Sequence, residues 1–271
     1  MLMTEPETIA ISNLGPCELQ SPLPRDTRSA VEDRFVTYRT LVRLPLEIDT
    51  AANSGGQLFE KAGPREKIFF EPAKTKAAIV TCGGLCPGLN NVIRSVYCNC
   101  TTTTVSARYW ASATAILDSR PKAAPPIWLN TEMVNDIHQR GGTLLGSSRG
   151  PVSPDIIVDF LEQRGINILF TVGGDGTQRG AHAIAEEAKR CSLKISVIGI
   201  PKTIDDDVMF VNRSFGYFTA ISCAKDIIDS AHVEAHCAMN GISIVKVMGR
   251  DSGFIAAGAT LASQEVNFAL D

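Results

Sequence analysis

Several familiar signatures are missing from this chain of 271 residues. It has no C-x-x-C pair, so the usual zinc-ligand spacing is absent. It has neither G-x-x-x-x-G-K nor G-x-G-x-x-G, so the two common nucleotide-loop fingerprints are absent. No apolar run reaches the ~18 residues that a spanning helix needs, and no membrane association is expected. Residues 1–20, MLMTEPETIAISNLGPCELQ, lack a basic stretch followed by an apolar one, which fits neither a secretory signal nor an Arg-rich transit peptide. Charge of one sign is not in excess: 26 Lys and Arg face 29 Asp and Glu, a net charge of −3. That balance gives no reason to expect nucleic acid as a partner.

What is present is ordinary for a globular protein, with 44% hydrophobic and 20% charged residues. The length suits one large domain or two small ones. The eight cysteines, at 17, 82, 86, 98, 100, 191, 223 and 237, fall largely in apolar or helical runs. Reduced core thiols behave that way, and a cytoplasmic location is expected. HVEAHC sets His232 and His236 four residues apart, but the acid is not placed as in H-E-x-x-H. Helix packing is the expected role of that pair.

Residues 1–75 show no sustained period and are read as an extension, partly disordered, with an arm around FVTYRTLVRL. No internal repeat is seen. From Lys76 the pattern alternates between strand and helix. KAAIVTC, INILFTVGG, LKISVIGIP and ISIVKVMG read as buried strands. GLNNVIRSVYC, TEMVNDIHQRGG, TQRGAHAIAEEAKRC, FGYFTAISCAKDIIDSAHVEAH and DSGFIAAGATLASQ read as helices. SPDIIVDFLEQRG is another, with Ser153 as N-cap and Gly165 closing it. Apolar strands alternating with helices predict a parallel α/β sheet, Rossmann-like, covered by helices on both faces. Such sheets bind ligands at the carboxyl ends of their strands, where the glycine-rich turns fall.

Three turns carry chemistry. In Gly83-Gly84-Leu85-Cys86-Pro87-Gly88 the glycines let backbone N–H groups approach an anion at a helix start, although a plain tight turn would look the same. Gly173-Gly174-Asp175-Gly176-Thr177 sets a carboxylate among glycines at a strand end, which suits phosphates and a Mg²⁺ ligand. Pro201-Lys202-Thr203-Ile204-Asp205-Asp206-Asp207 places three carboxylates in a row after a strand. They repel one another, a cation would relieve them, and one of them could act as a general base toward a substrate hydroxyl. Lys202 and Arg250 supply positive charge for phosphoryl oxygens.

Taken together, GGLCPGLN, GSSRG, GGDGT, PKTIDDD and VKVMGRDSG occur in the order and at about the spacing of the 6-phosphofructokinases, which the chain resembles over residues 60–99 and 128–271. AGPREKIFFEP is similar to the plant-type branch. NAD kinases share GGDGT but not TIDDD or MGRDSG. The resemblance implies a phosphofructokinase nucleotide-binding domain over 76–271, ATP with Mg²⁺, and fructose 6-phosphate as the substrate that becomes the 1,6-bisphosphate in glycolysis. It implies that Gly83, Arg149 and Gly150 lie by the nucleotide phosphates. Gly174, Asp175, Gly176 and Thr177 would cradle ATP, with Asp175 on the metal. Asp205 would take the proton of the sugar 1-hydroxyl, with Thr203, Ile204 and Asp207 flanking it. Met248, Gly249 and Arg250 would hold the sugar phosphate. An allosteric homo-oligomer, a tetramer when intact, follows from the same likeness.

Four departures qualify these expectations. Asp206 stands where the family most often has Asn, which adds a charge. Gly176 favours ATP as donor, whereas Lys202 is shared with pyrophosphate-dependent relatives; plant-type ATP enzymes combine the two. The sequence stops at SQEVNFALD, where the family continues into a second domain, so half the cleft is expected to be missing. A catalytically dead fragment or pseudoenzyme is therefore one alternative, and a pyrophosphate-dependent enzyme another. Finally, TTTTVSARYWASATAI, residues 101–116, matches neither the family nor its neighbours. Read one frame over with permitted synonymous codons, Cys100–Ser119 becomes YYYYGVRAILGIRYGYSGF, which resembles the plant-type strand and nucleotide-side loop. Residues 100–125 are accordingly expected to be out of frame, with an irregular segment in place of one core strand. A divergent insertion is the alternative.

Overall fold

The computed structural model describes residues 7–9, 11–23, 35–44, 57–103, 108–111, 126–147, 150, 152–211 and 213–267. The chain divides into two compact units, one of residues 1–75 with 99–107, the other of 76–98 with 108–271.

In the smaller unit, β1 (Glu7–Ile9), β2 (Leu19–Gln20), β3 (Leu41–Leu44), β4 (Gln57–Glu60) and β5 (Lys67–Ile68) make two small sheets. β4 lies between β1, parallel to it, and β3, antiparallel; β2 pairs antiparallel with β5. Arg65 organises its neighbourhood: it pairs with Glu60, donates to the Val36 carbonyl at 2.7 Å and stacks 4.6 Å from the Tyr38 ring. The expected arm around FVTYRTLVRL is thus a four-residue strand, β3.

The larger unit opens with β6 (Lys76–Thr81), whose helix α1 (Leu89–Thr103) runs on past the unit's boundary. Then come β7 (Arg108–Ala111), β8 (Ile127–Trp128), α2 (Thr131–Val134), α3 (Pro154–Arg164), β9 (Ile168–Gly173), α4 (Asp175–Arg190), β10 (Ser196–Pro201), α5 (Tyr217–Cys237) and α6 (Phe254–Ser263). The sheet order is β10-β9-β6-β7-β8. All neighbours are parallel except β8, which runs antiparallel to β7. Ala78, Val80 and Leu169 of the sheet pack with Ile157, Leu161 and Ile184 of α3 and α4, all nearly inaccessible to water. Burial on that scale is the main favourable contribution to the fold. α3 ends as expected: Gly165 sits at φ +62°, where a Cβ is costly, and its N–H and that of Ile166 close the last turn.

Three expectations are corrected. TEMVNDIHQRGG is not one helix: α2 ends at Val134 and a 3₁₀ turn spans Ile137–Gln139. Asn130 caps α2 by accepting from Met133 N at 2.8 Å. Side chains then take the carbonyls that a longer helix would use: Arg94 Nε donates to Asn135 O at 3.1 Å, and Asn90 Nδ2 to Arg140 O at 3.0 Å. ISIVKVMG is not a strand. Ile242 and Ile244 are 86% and 91% exposed. Its residues favour β structure, but a strand needs a partner edge, and among the described residues none pairs with it. Within 100–125, α1 continues to Thr103 and β7 forms a short regular strand on β6 where an irregular segment was expected. Residues 104–107 and 112–125 lie outside the described residues.

Candidate active site

The parallel strands β6, β9 and β10 end side by side. The Thr81↔Val172 and Pro201↔Gly173 registers set the three turns that follow them at one edge of the sheet. These turns line one cleft of about 1500 Å³. Among its walls are Gly83, Gly150, Gly174, Asp175, Gly176 and Thr177. Thr203, Ile204, Asp205, Asp207, Met248, Gly249 and Arg250 line it too. Every sequence-predicted site residue except Arg149 is therefore brought together; Arg149 lies outside the described residues.

The first turn is tied from two sides. Gly83 takes φ +83°, a backbone conformation that favours glycine. Its carbonyl accepts from Ser147 Oγ at 2.6 Å, and that of Gly84 accepts from Lys202 Nζ at 2.8 Å. Lys202, expected to face phosphoryl oxygens, is buried and holds this turn to the end of β10. The turn also leans on the loop before α5, where the Cys86 thiol donates to the Phe215 carbonyl at 3.0 Å. Burial pushes that thiol up to about 11, so it is neutral at ordinary pH.

The second turn starts α4. Gly173 is glycine for packing, since a Cβ there would run into Thr177. Gly176 is different: a Cβ would meet nothing within 4 Å, so the space beside it belongs to the cleft. Asp175, in the first turn of α4, pairs with Arg179 at 2.7 Å, both well exposed. One exposed carboxylate on the wall of a glycine-lined cleft fits Mg²⁺, which keeps most of its ligands as water and phosphate oxygens. Among the described residues no group of three His, Cys, Asp or Glu is arranged to hold a metal by itself. His232 faces Glu265 at 3.2 Å and stacks 4.4 Å from His236.

In the third turn the three carboxylates do not crowd one point. Asp206 turns away at φ +58° and accepts from Ser214 N at 2.8 Å. Asp207 accepts from Thr203 Oγ1, whose oxygen in turn accepts from Asp205 N at 3.1 Å. Ser214 Oγ donates to the Thr203 carbonyl. Asp205 alone is left with a buried oxygen, Oδ1, that has no partner. Its carboxyl is held above the usual 3.8 by burial first and by Asp207 second, against the pull of Arg250 and Lys202. A raised, unpartnered carboxylate at a strand end is what a general base requires. Arg250 reaches outward and pairs with Asp251 at 2.7 Å.

Sequence reasoning did not find the clips on these turns, Ser147, Ser214 and Ser252, the last donating to Asp205 O at 3.4 Å. Serine has no spacing rule that would reveal partners 11, 47 or 64 residues away.

The family model for phosphofructokinase matches residues 76–270. The chain is 47% identical over 263 residues to the "ATP-dependent 6-phosphofructokinase" of Borreliella burgdorferi, covering 96% of this chain and 59% of that one. It is 50% identical over 218 residues to "ATP-dependent 6-phosphofructokinase 7" of Arabidopsis thaliana, covering 79% and 44%. The chain thus spans about half the length of these curated relatives. Among solved structures it is similar to the pyrophosphate-dependent phosphofructokinase of Marinobacter aquaeolei, with TM-score 0.59 and 24% identity over 69% of this chain and 49% of the other. It is also similar to the phosphofructokinase of Saccharomyces cerevisiae, with TM-score 0.58 and 22% identity over 70% and 28%. At those identities the likeness is one of fold.

Proposed function

The chain belongs to the phosphofructokinase family, and from that premise we propose that it carries the nucleotide-binding and base-bearing part of an ATP-dependent 6-phosphofructokinase. In this reading the γ-phosphoryl group of ATP passes to the 1-hydroxyl of fructose 6-phosphate. The observation that carries the proposal is Asp205, whose unpartnered buried oxygen and raised carboxyl share one cleft with two glycine turns.

The chain's own residues divide the work. The 83–84 turn and Gly174–Thr177 bind and orient the triphosphate with backbone N–H groups. Gly176 leaves room that a carboxylate would fill, and this favours ATP over pyrophosphate as donor. Asp205 takes the proton of the attacking hydroxyl, held in place through Thr203, Ser214 and Ser252. Arg250 and Met248 meet the sugar phosphate from the open side, Arg250 by exchanging Asp251 for the phosphate. Asp175 is the residue that would hold Mg²⁺, which neutralises phosphate charge when bound. Eight free thiols support a reducing, cytoplasmic setting, and homo-oligomeric assembly belongs to the same reading.

The test is phosphoryl transfer by the purified chain with MgATP and fructose 6-phosphate, with Asp205→Asn as control. Turnover in the parent and its loss in the variant support the reading. A second reading, a body that binds nucleotide without turning over, is favoured by the sugar-side wall. Met248 is 64% exposed and the Arg250 side chain 80% exposed, so little holds a sugar there. ATP binding by calorimetry with no turnover would select it.

A further inference from the structure

Three segments around the cleft are joined in a closed circuit of hydrogen bonds. Lys202 Nζ donates to the Gly84 carbonyl at 2.8 Å. One residue on, the Thr203 carbonyl accepts from Ser214 Oγ. One residue beyond Ser214, the Phe215 carbonyl accepts from the Cys86 thiol at 3.0 Å, and Cys86 stands two residues from Gly84. Cys86, Lys202, Thr203 and Ser214 are all buried. The first turn is therefore gripped at both ends by the two stretches of chain that bracket the base. Asp205 lies between those stretches, and its N–H donates to Thr203 Oγ1 at 3.1 Å.

The contact between turn and loop is close as well as bonded. A Cβ on Gly216 would run into the Cys86 sulfur and lie 2.8 Å from the Pro87 carbonyl, and one on Gly88 would meet Phe215 Cδ2 at 3.1 Å. Burial keeps the thiol protonated, so it remains a donor. A thiol is a weak donor, and packing holds this one on its acceptor. The Pro87 carbonyl, its other acceptor, is farther away at 3.6 Å. Cradling phosphate does not require this link, because Ser147 holds Gly83 on its own. What the circuit fixes is the position of the first turn relative to Asp205.

We propose that Cys86 and Ser214 are positioning residues that act as one unit, fixing the nucleotide-side turn against the base. The catalytic consequence rests on the phosphofructokinase reading above, whereas the coupling of the two residues rests on the circuit alone. Loss of either bond opens the circuit, so a second loss adds little. Donor binding survives through Ser147 and Lys202, while the alignment of the donor with Asp205 is relaxed.

Two readouts on the full chain keep the circuit and the reaction apart. The first is the rate at which iodoacetamide labels each cysteine, resolved by peptide mass spectrometry. Ser214→Ala is expected to speed labelling of Cys86 about tenfold, the worth of one hydrogen bond, and to leave Cys82 at the parent's rate. Ser214→Thr, which keeps the hydroxyl, is expected to stay near the parent. No change at Cys86, or an equal rise at Cys82, overturns the coupling. The second readout is steady-state kinetics with MgATP and fructose 6-phosphate. Cys86→Ala is expected to lower kcat about tenfold at unchanged KM for MgATP, and Cys86→Ser, which keeps a donor, to regain most of it. The Cys86→Ala/Ser214→Ala pair is expected to fall no further than the worse single variant. Equal effects of alanine and serine at 86, multiplied effects in the pair, or a loss confined to KM overturns the positioning role. A parent without turnover overturns the phosphofructokinase reading and the positioning role with it, while labelling still decides the circuit.

Discussion

The two walls of the cleft are built on different principles. The wall formed by the ends of β6, β9 and β10 is buried and cross-tied: Ser147 and Lys202 hold the first turn, and Gln178 Nε2 donates to the Gly173 carbonyl at 2.9 Å. The wall formed by Lys246–Arg250 has no regular structure, points large side chains outward and meets the first through the 3.4 Å Ser252–Asp205 bond. In the proposed reading, rigid placement of phosphates is inherited from the sheet. In the same reading, placement of a sugar phosphate is left to side chains that must be ordered on binding, at a cost in affinity. If the chain turns over, that difference places catalytic precision on the donor side.

Six substitutions sharpen or break that contrast. The largest effect is expected from Asp205→Asn, which removes the base: the turnover rate falls ~10²–10⁴-fold in a coupled assay. Stability moves the other way. Because the folded carboxyl titrates above 3.8, its ionisation costs stability as pH rises from there through the folded value, so the variant's urea midpoint at neutral pH equals or exceeds the parent's. For the same reason the parent's rate falls on acidification at a pH above 3.8. Next is Lys202→Met. Loss of a buried charged donor leaves the Gly84 carbonyl unpaired and costs about 2 kcal/mol in urea unfolding. Arg250→Met, on the loose wall, is expected to leave the urea midpoint unchanged while weakening sugar phosphate affinity, because its exposed ion pair is worth little. Equal destabilisation by both would end the distinction between the walls.

Gly173→Ala and Gly176→Ala separate packing from binding within a single turn. The first meets Thr177 and lowers the melting temperature by several degrees, a shift of order 1 kcal/mol or more. The second meets nothing, keeps the melting temperature and weakens ATP in calorimetry. The smallest effect belongs to Asp206→Asn, the residue more usual in the family. An amide oxygen still accepts from Ser214 N, so stability changes by about 0.5 kcal/mol or less and turnover is kept.

Much of this wall was legible in the sequence, because it follows from short-range rules. Strands ending in glycine turns place Gly83, Gly174 and Asp205 at one sheet edge by topology alone. The loose wall was misread for the complementary reason. ISIVKV has strand composition, but strand formation depends on a neighbour, and composition carries no record of whether one is there. The separation of the three carboxylates was hidden as well. It depends on the positive φ of Asp206 and on Ser214, eight residues on, and neither has a pattern to search for. Lys202 was read as a phosphate ligand from its charge, whereas its reach to Gly84 spans 118 residues.

The register between β6 and β9 also governs time. Lys76 N is bonded to Asn167 Oδ1 across 91 residues, and the two glycine turns follow the two strands so joined. No local segment holds more than one of the two turns. Closing so long a loop is slow compared with forming any helix in the chain. During refolding, helical signal should return well before nucleotide binding does, and the moment at which ATP first binds marks the closing of the sheet.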